Sequence, residues 1–130
     1  MKKIEFTVIL GYGFQHKKDI KTKADSLNKD GFIIKLVEKS DFLAKYLHDT
    51  DFAIISNGRT VFEVACMKVP VLSVAVNERE TSHSFVKDNT IGKHLIYDKN
   101  SFSKIIFSNI QHMLKVENRK KYKSNLKKLQ

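Results

Sequence analysis

The fold is decided by the stretch Asp51-Phe-Ala-Ile-Ile-Ser-Asn-Gly-Arg-Thr60-Val-Phe-Glu63-Val-Ala-Cys-Met-Lys-Val-Pro70-Val-Leu-Ser-Val. Its apolar run at 52–55 contains two isoleucines, which predicts a strand buried on both faces. Turn residues follow at 56–58. Thr60 and Glu63 then have the spacing of a capping box, which predicts that a helix starts at Thr60. Pro70 opens a second apolar strand, because a missing N–H does least harm at the first residue of a strand.

The same alternation of strand and helix extends on both sides of this stretch. Strands are predicted at 4–10, 32–37, 52–55, 71–76 and 94–97, and helices at 17–28, 42–48, from 60, 80–87 and 102–113. Gly31 is expected to close the first helix in the left-handed conformation, and Phe42 and Cys66 are expected to face the core. The pattern predicts a single Rossmann-like α/β domain over residues 1–115, with a mainly parallel sheet and helices on both faces. A basic C-terminal helix or tail covers residues 116–130.

Length and composition are those of one soluble globular domain, with 130 residues, 42% hydrophobic and 29% charged. The sequence contains no apolar run near the ~20 residues that a membrane helix needs. Met1-Lys-Lys is followed directly by a strand-like segment, so we expect no signal peptide here. The lone cysteine, Cys66, cannot form an internal disulfide, so we expect a cytoplasmic protein. Because no His, Cys, Asp and Glu residues have metal-ligand spacing, we predict no metal and no cofactor.

The net charge of +10 is concentrated at the C-terminus. Seven of the 24 basic residues lie in the last sixteen positions, opposed there by Glu117 alone: Lys115, Arg119, Lys120, Lys121, Lys123, Lys127 and Lys128. A solvated basic helix or frayed tail is the simplest interpretation, and attachment to an anionic membrane or to nucleic acid is the alternative. No aromatic-interleaved basic patch accompanies the charge, so the sequence does not indicate a nucleic-acid-binding protein.

The turn at 57–60 is the predicted ligand site, because parallel sheets bind ligands where strands end and helices begin. First-turn amides and the nearby Arg59 suit a phosphate group, which makes Gly58, Arg59 and Thr60 the predicted phosphate contacts. Gly58 has a second interpretation, as a residue that simply permits a sharp turn.

A polar loop at the end of the next strand supplies a second set of candidate residues. Amide and carboxylate groups can both recognise sugar hydroxyls, which predicts sugar contacts from this loop and from a histidine one helical turn later. These residues are Asn77, Glu78, Arg79, Glu80 and His83. A third loop follows the first predicted strand and contains Gly11, Tyr12 and Gly13. We expect this loop, and His16 after it, to face the same ligand-binding cleft.

Two motifs carry a resemblance to a known family. They are Ser56-Asn-Gly-Arg-Thr-Val-Phe-Glu-Val-Ala, followed by Val69-Pro70, and Asn77-Glu-Arg-Glu80-x-x-His83-x-Phe85. On these residues the chain resembles the C-terminal half of GT-B glycosyltransferases, over most of its length to about Tyr97. Within that class it is similar to the UDP-sugar hydrolase of pseudaminic acid biosynthesis and to the glycosyltransferases of spore-coat polysaccharide synthesis. A related segment is appended to some CMP-sialic acid synthetases.

The resemblance implies a set of ligand contacts. In these relatives the glycine turn and the helix start bind the diphosphate of a nucleotide sugar, here a UDP-sugar. Asn57 and Glu63 would contact the nucleotide, with Glu63 on the ribose hydroxyls, and residues 77–80 would face the nucleotide or the sugar. Glu63 therefore has two interpretations, as a ribose ligand and as a member of the capping box.

The resemblance also implies that the domain needs a second half. Relatives of this type have an N-terminal half that supplies the acceptor groups and often the catalytic base, and this sequence has no G-x-G-x-x-G motif. We expect the nucleotide-sugar-binding domain of a glycosyltransferase or UDP-sugar hydrolase in surface-polysaccharide or nonulosonic (sialic) acid biosynthesis. Its partner would be an N-terminal half-domain, a cytidylyltransferase or a second copy. We assign no catalytic residue and expect the isolated domain to be inactive. The alternative is a non-catalytic regulatory or oligomerisation module.

Overall fold

The computed structural model describes residues 4–11, 13–38 and 42–129. Within these ranges the elements are β1 Glu5–Leu10, α1 Lys17–Lys29, β2 Ile33–Glu38, α2 Leu43–Leu47, β3 Ala53–Ser56, α3 Thr60–Cys66, β4 Val71–Ala75, α4 Glu78–Thr81, α5 Phe85–Asn89, β5 Gly92–Ile96, α6 Phe102–Leu114 and α7 Val116–Lys127. Each strand pair is parallel, which confirms the predicted α/β class.

The strands form two small sheets, one containing β1 and β2 and the other ordered β3-β4-β5, an arrangement compatible with a Rossmann-like domain. The chain divides into two compact units, residues 1–46 and 47–130.

The first unit is built around the β1–β2 pair, in register from Glu5 opposite Ile33 to Leu10 opposite Glu38. Helix α1 connects the two strands and closes at Gly31, which has a φ of +98° as predicted. In the last turn of the helix, the exposed Asn28 side chain binds both backbone groups of Ile34, donating to its oxygen at 3.0 Å and accepting from its nitrogen at 2.8 Å. This amide therefore ties the end of α1 to the start of β2.

The second unit is built around β4, whose residues are buried at four of five positions. Strands β3 and β5 pair with it on either side, with Ser56 opposite Val74 and Gly92 opposite Val71. A Cβ atom on Gly92 would lie 1.7 Å from the Val71 carbonyl oxygen, so the close approach of the two backbones requires glycine at this position.

Helices α6 and α7 complete the core of the second unit. Leu72 of β4, Met113 of α6 and Tyr122 of α7 form a buried cluster, and Leu126 of α7 is fully buried. The Lys68 ammonium donates to the carbonyl oxygens of Leu126 and Leu129 at the end of α7, at 3.0 and 3.2 Å. The basic C-terminal segment is thus a packed helix.

Three local expectations are wrong. Phe42 and Cys66, which we expected in the core, are exposed. The single helix predicted at 80–87 is two short helices, α4 and α5, separated at residues 82–84. His83 therefore lies between two helices and not one turn inside a helix.

Candidate functional site

Two turns follow the carboxyl ends of neighbouring parallel strands, β3 and β4, and hydrogen bonds join them. The first turn contains residues 57–59 and leads into α3, and the second contains residues 76 and 77 and leads into α4. Asn57 donates its backbone N–H to the Val74 oxygen at 3.1 Å, which extends the β3–β4 ladder by one residue. The turns therefore share one edge of the three-stranded sheet, the edge at which parallel sheets bind ligands.

The Asn57 side chain holds the two turns together. The residue is 2% exposed, and its amide nitrogen donates to the Glu80 carbonyl at 2.6 Å and to the His83 carbonyl at 2.9 Å. Both donor hydrogens of the amide are therefore used inside the protein. This asparagine fixes the shape of the site, and its predicted contact with a nucleotide stays a prediction.

Glu80 is the second buried polar residue of the site, at 7% exposure. Its Oε1 accepts the Val76 N–H at 3.1 Å, and its own N–H donates to the Asn77 side-chain oxygen at 2.9 Å. Residues 77–80, expected as a loop, are thus the N-cap and first turn of α4. Asn77 and Glu80 help to shape this edge of the sheet through these hydrogen bonds, and their contacts with a sugar stay predictions.

His83 contacts the same network from the segment between α4 and α5. Its Nδ1 lies 3.2 Å from the Asn57 carbonyl oxygen. Because a carbonyl oxygen can only accept, Nδ1 carries the hydrogen in this contact. The side chain is exposed, so Nε2 is available for a hydrogen bond with a ligand.

The start of α3 differs from the predicted capping box. Thr60 is the first helical residue, the preceding Arg59 is already in the right-handed helical conformation, and no described side chain caps the start of the helix. Backbone hydrogen bonds form its first turn instead: the Val61 N–H donates to the Gly58 oxygen, and the Phe62 N–H donates to the Arg59 oxygen.

Three backbone N–H groups at this turn are not used in hydrogen bonds with described groups. In the described part of the chain, no group accepts a hydrogen bond from the N–H groups of Gly58, Arg59 or Thr60. Arg59 is exposed and forms no ion pair with a described carboxylate. The turn can therefore offer three backbone donors and one guanidinium to an acceptor from solvent.

Gly58 is not required by its backbone conformation. It is absent from the described residues with positive φ, and an added Cβ would make ordinary contacts, 3.5 Å to the Glu80 Oε2 and 3.9 Å to the Ser56 Oγ. The interpretation of Gly58 as a residue needed only for a sharp turn therefore has no support from its geometry. The glycine leaves the backbone open beside a carboxylate oxygen.

The remaining predicted residues fall into two groups. Glu63, Glu78 and Arg79 are exposed on α3 and α4 of the second unit, so their side chains are available to a ligand. Gly11 and Gly13 are exposed in the first unit, where His16 lies 3.9 Å from Asp19. Tyr12 is outside the described residues.

An apolar groove on the second unit was not anticipated from the sequence. Its volume is about 360 Å³, and it opens beside the ends of β3 and β4 and the start of α6. The lining residues are Ile54, Ile55, Ser56, Val74, Val76, Tyr97, Phe102 and Ile106. The sequence contains no signal for it, because Val76 and Tyr97 fit the apolar ends of the strands predicted at 71–76 and 94–97.

Comparison with known proteins identifies no family: no protein-family model and no curated protein matches the chain. Among the described helices, none is long and apolar enough to cross a membrane. The part of the chain that the structure describes contains no group of three or more His, Cys, Asp or Glu side chains that could hold a metal ion.

Proposed function

We propose that the second unit binds a nucleotide sugar, a UDP-sugar, at the edge formed by the turns after β3 and β4. The observation that carries the proposal is the Asn57 network. It fixes the first turn through the Glu80 and His83 carbonyls, while the amides of residues 58–60 have no acceptor among the described groups. A turn held in this way is preorganised for an anion, because its donors need no rearrangement when the ligand arrives.

The diphosphate would lie on the amides of Gly58, Arg59 and Thr60. The Arg59 guanidinium can donate two parallel hydrogen bonds to phosphate oxygens. When the sugar leaves, negative charge develops on the UDP oxygens, and donors already in place would stabilise it. These residues would thus bind and stabilise the leaving group, without transferring a proton.

Carboxylates near the turn suit the hydroxyl-bearing parts of the ligand. Glu80 Oε2 lies beside Gly58 and receives no hydrogen bond from a described residue, so it can accept one from a sugar hydroxyl. Glu63 is exposed three residues after Thr60 and is the proposed ribose ligand. The apolar groove beside Tyr97 offers a surface on which a flat base can pack.

Catalysis would require a second half. The proposed phosphate contacts are solvent-exposed or backbone groups, and exposed charges stabilise a transition state weakly. We propose that a separate N-terminal half-domain, a cytidylyltransferase or a second copy supplies the acceptor, in the cytoplasmic synthesis of a surface polysaccharide or nonulosonic acid. The isolated chain would bind the nucleotide sugar without turning it over.

Calorimetric titration of the purified chain with UDP, CMP and uridine tests the proposal. UDP should bind, and Arg59→Ala should weaken UDP by about 1–3 kcal/mol, the value of a charge-assisted hydrogen bond, while uridine changes little. Lys127→Ala is the matched control, since it removes an exposed cation at the far end of α7. Absence of UDP binding at millimolar concentration, or equal weakening by both variants, would reject the proposal.

A further inference from the structure

The junction of α6 and α7 combines exposed apolar side chains with unneutralised positive charge. Leu114 and Val116 flank the junction residue Lys115 and are 38% and 50% exposed. Phe107, seven residues before Leu114 on the same helix, is 63% exposed. Because seven residues make almost two full turns, Phe107 and Leu114 share one face of α6. This apolar group is Phe107, Leu114 and Val116.

A stripe of lysines continues from this group along α7. Lys120, Lys123 and Lys127 lie four, seven and eleven residues after Val116, spacings that return to one side of a helix. All three are exposed. The helix buries a different side, that of Tyr122 and Leu126, so the lysine stripe faces away from the core.

The lysines at this junction outnumber the acidic residues, since Glu117 is the one acidic side chain among the last sixteen residues. Among the described side chains, no lysine of α7 forms an ion pair with a carboxylate. Burial, and after it the charges of Lys93, Lys115 and Lys121, lower the pKa of His112 on α6. The charges of Lys93, Lys115 and Lys121 therefore act together at His112.

We propose that the lysine stripe and the adjoining apolar group form a surface that docks on anionic lipid membranes. Lysines attract acidic headgroups, and apolar side chains beside them enter the headgroup boundary, which is the combination that interfacial helices use. Nucleic acid would account for the lysines and leave the exposed Phe107, Leu114 and Val116 without a role. The membrane is therefore the partner that uses both features.

Vesicle co-sedimentation tests the surface with phosphatidylcholine alone and with added phosphatidylserine. The intact chain should bind the serine-containing vesicles and release them as salt is raised. The triple variant K120Q/K123Q/K127Q should bind about 100-fold more weakly, since each lysine near the surface contributes a factor of about five. The triple Lys→Arg variant, which keeps the charge, should retain binding.

A control with the same net charge separates the surface from overall basicity. Lys18, Lys21 and Lys29 are exposed on α1, and the variant K18Q/K21Q/K29Q should bind vesicles nearly as well as the intact chain. Leu114→Ser with Val116→Ser should weaken binding to the serine-containing vesicles at low salt, because it removes apolar side chains without changing the charge. Equal losses in the two Gln triples, no dependence on phosphatidylserine, or tighter binding to a short DNA duplex than to the vesicles would each overturn the proposal.

Discussion

The segments from β1 to α1 and from β3 to α3 follow the same strand–turn–helix plan and differ in what holds the turn. After β1, Gly11 and Gly13 are exposed, and the Phe14 N–H donates to the Gly11 oxygen at 3.2 Å. After β3, the buried Asn57 connects the turn to two carbonyls more than twenty residues away. A strand end alone does not make a preorganised site, and among the described residues of the two turns the remote side-chain hydrogen bonds belong to the second.

The two units also differ in how much a glycine matters. Gly92→Ala should be the most damaging single change, costing about 3 kcal/mol or more, because the new Cβ overlaps the Val71 carbonyl oxygen. Gly11→Ala in the first unit is the control, since no atom lies within 4 Å of its Cβ position; it should change stability by no more than about 1 kcal/mol. Urea denaturation measures both. Similar stabilities for the two variants would contradict the close β4–β5 backbone contact.

Two asparagines, one in each unit, test how burial changes the contribution of a side-chain amide to the free energy of unfolding. Asn57→Ala should cost about 2–3 kcal/mol, because it leaves two carbonyls without their donor in a buried setting. Asn28→Ala also removes two hydrogen bonds, but water can replace them at an exposed site, so the cost should stay under about 1 kcal/mol. Chemical denaturation of both variants gives the difference. Equal costs would show that the Asn57 network does not hold the turns.

Substitutions of Glu63 distinguish a role in UDP binding from a role in the stability of α3. Since no described side chain caps the start of α3, Glu63→Gln and Glu63→Ala should leave the melting temperature nearly unchanged. If Glu63 holds the ribose, both variants should lose about 1 kcal/mol or more of UDP affinity, and the intact chain should prefer UDP to 2′-deoxy-UDP. Thermal melts and titrations measure the two effects. A lower melting temperature with unchanged affinity would restore the capping role.

The smallest predicted effect is a pH dependence of stability. His112 Nδ1 lies 3.1 Å from the Asn118 amide nitrogen, which also donates to the His112 carbonyl oxygen, and His112 Nε2 lies 2.7 Å from the Tyr122 hydroxyl. Its pKa is lowered by burial and then by nearby lysines, so the unfolded chain takes up the proton more readily.

Stability should therefore be greatest above the ordinary histidine pKa and fall as the pH drops through it towards the lowered folded value. His112→Gln should flatten this loss in denaturation curves measured at several pH values, whereas the exposed His48→Gln should not. A steeper loss in His112→Gln would contradict the assignment.

Local patterns were sufficient for the strands and for most helices. Apolar runs located all five described strands to within two residues at either end, and Asn28 with Gly31 marked the end of α1. The break between α4 and α5 could not be predicted in this way. There the Glu80 and His83 carbonyls accept hydrogen bonds from the side chain of Asn57, which belongs to another turn. The local sequence pattern of residues 80–87 cannot predict a hydrogen bond to such a distant residue.

The candidate site shows the same limit. The position of the turn and the exposure of Arg59 follow from strand, glycine and helix signals in the sequence. The start of α3 at Thr60 is confirmed, but the capping box is wrong: Thr60 and Glu63 have its spacing, while the backbone at Arg59 is already helical and its side chain makes no cap hydrogen bond. The sequence predicts Asn57 as a turn residue and a nucleotide contact, whereas its burial depends on packing between residues far apart in the sequence.

The central claim, that the turn after β3 binds the diphosphate, is tested most directly by amide NMR of the ¹⁵N-labelled chain. Adding UDP should shift the N–H signals of Gly58, Arg59 and Thr60, whose donors are free of described acceptors, and uridine should shift them much less. The signals of Gly11 and Gly13 provide the internal comparison and should move little. Equal shifts with uridine, or shifts confined to the turn after β1, would contradict the claim.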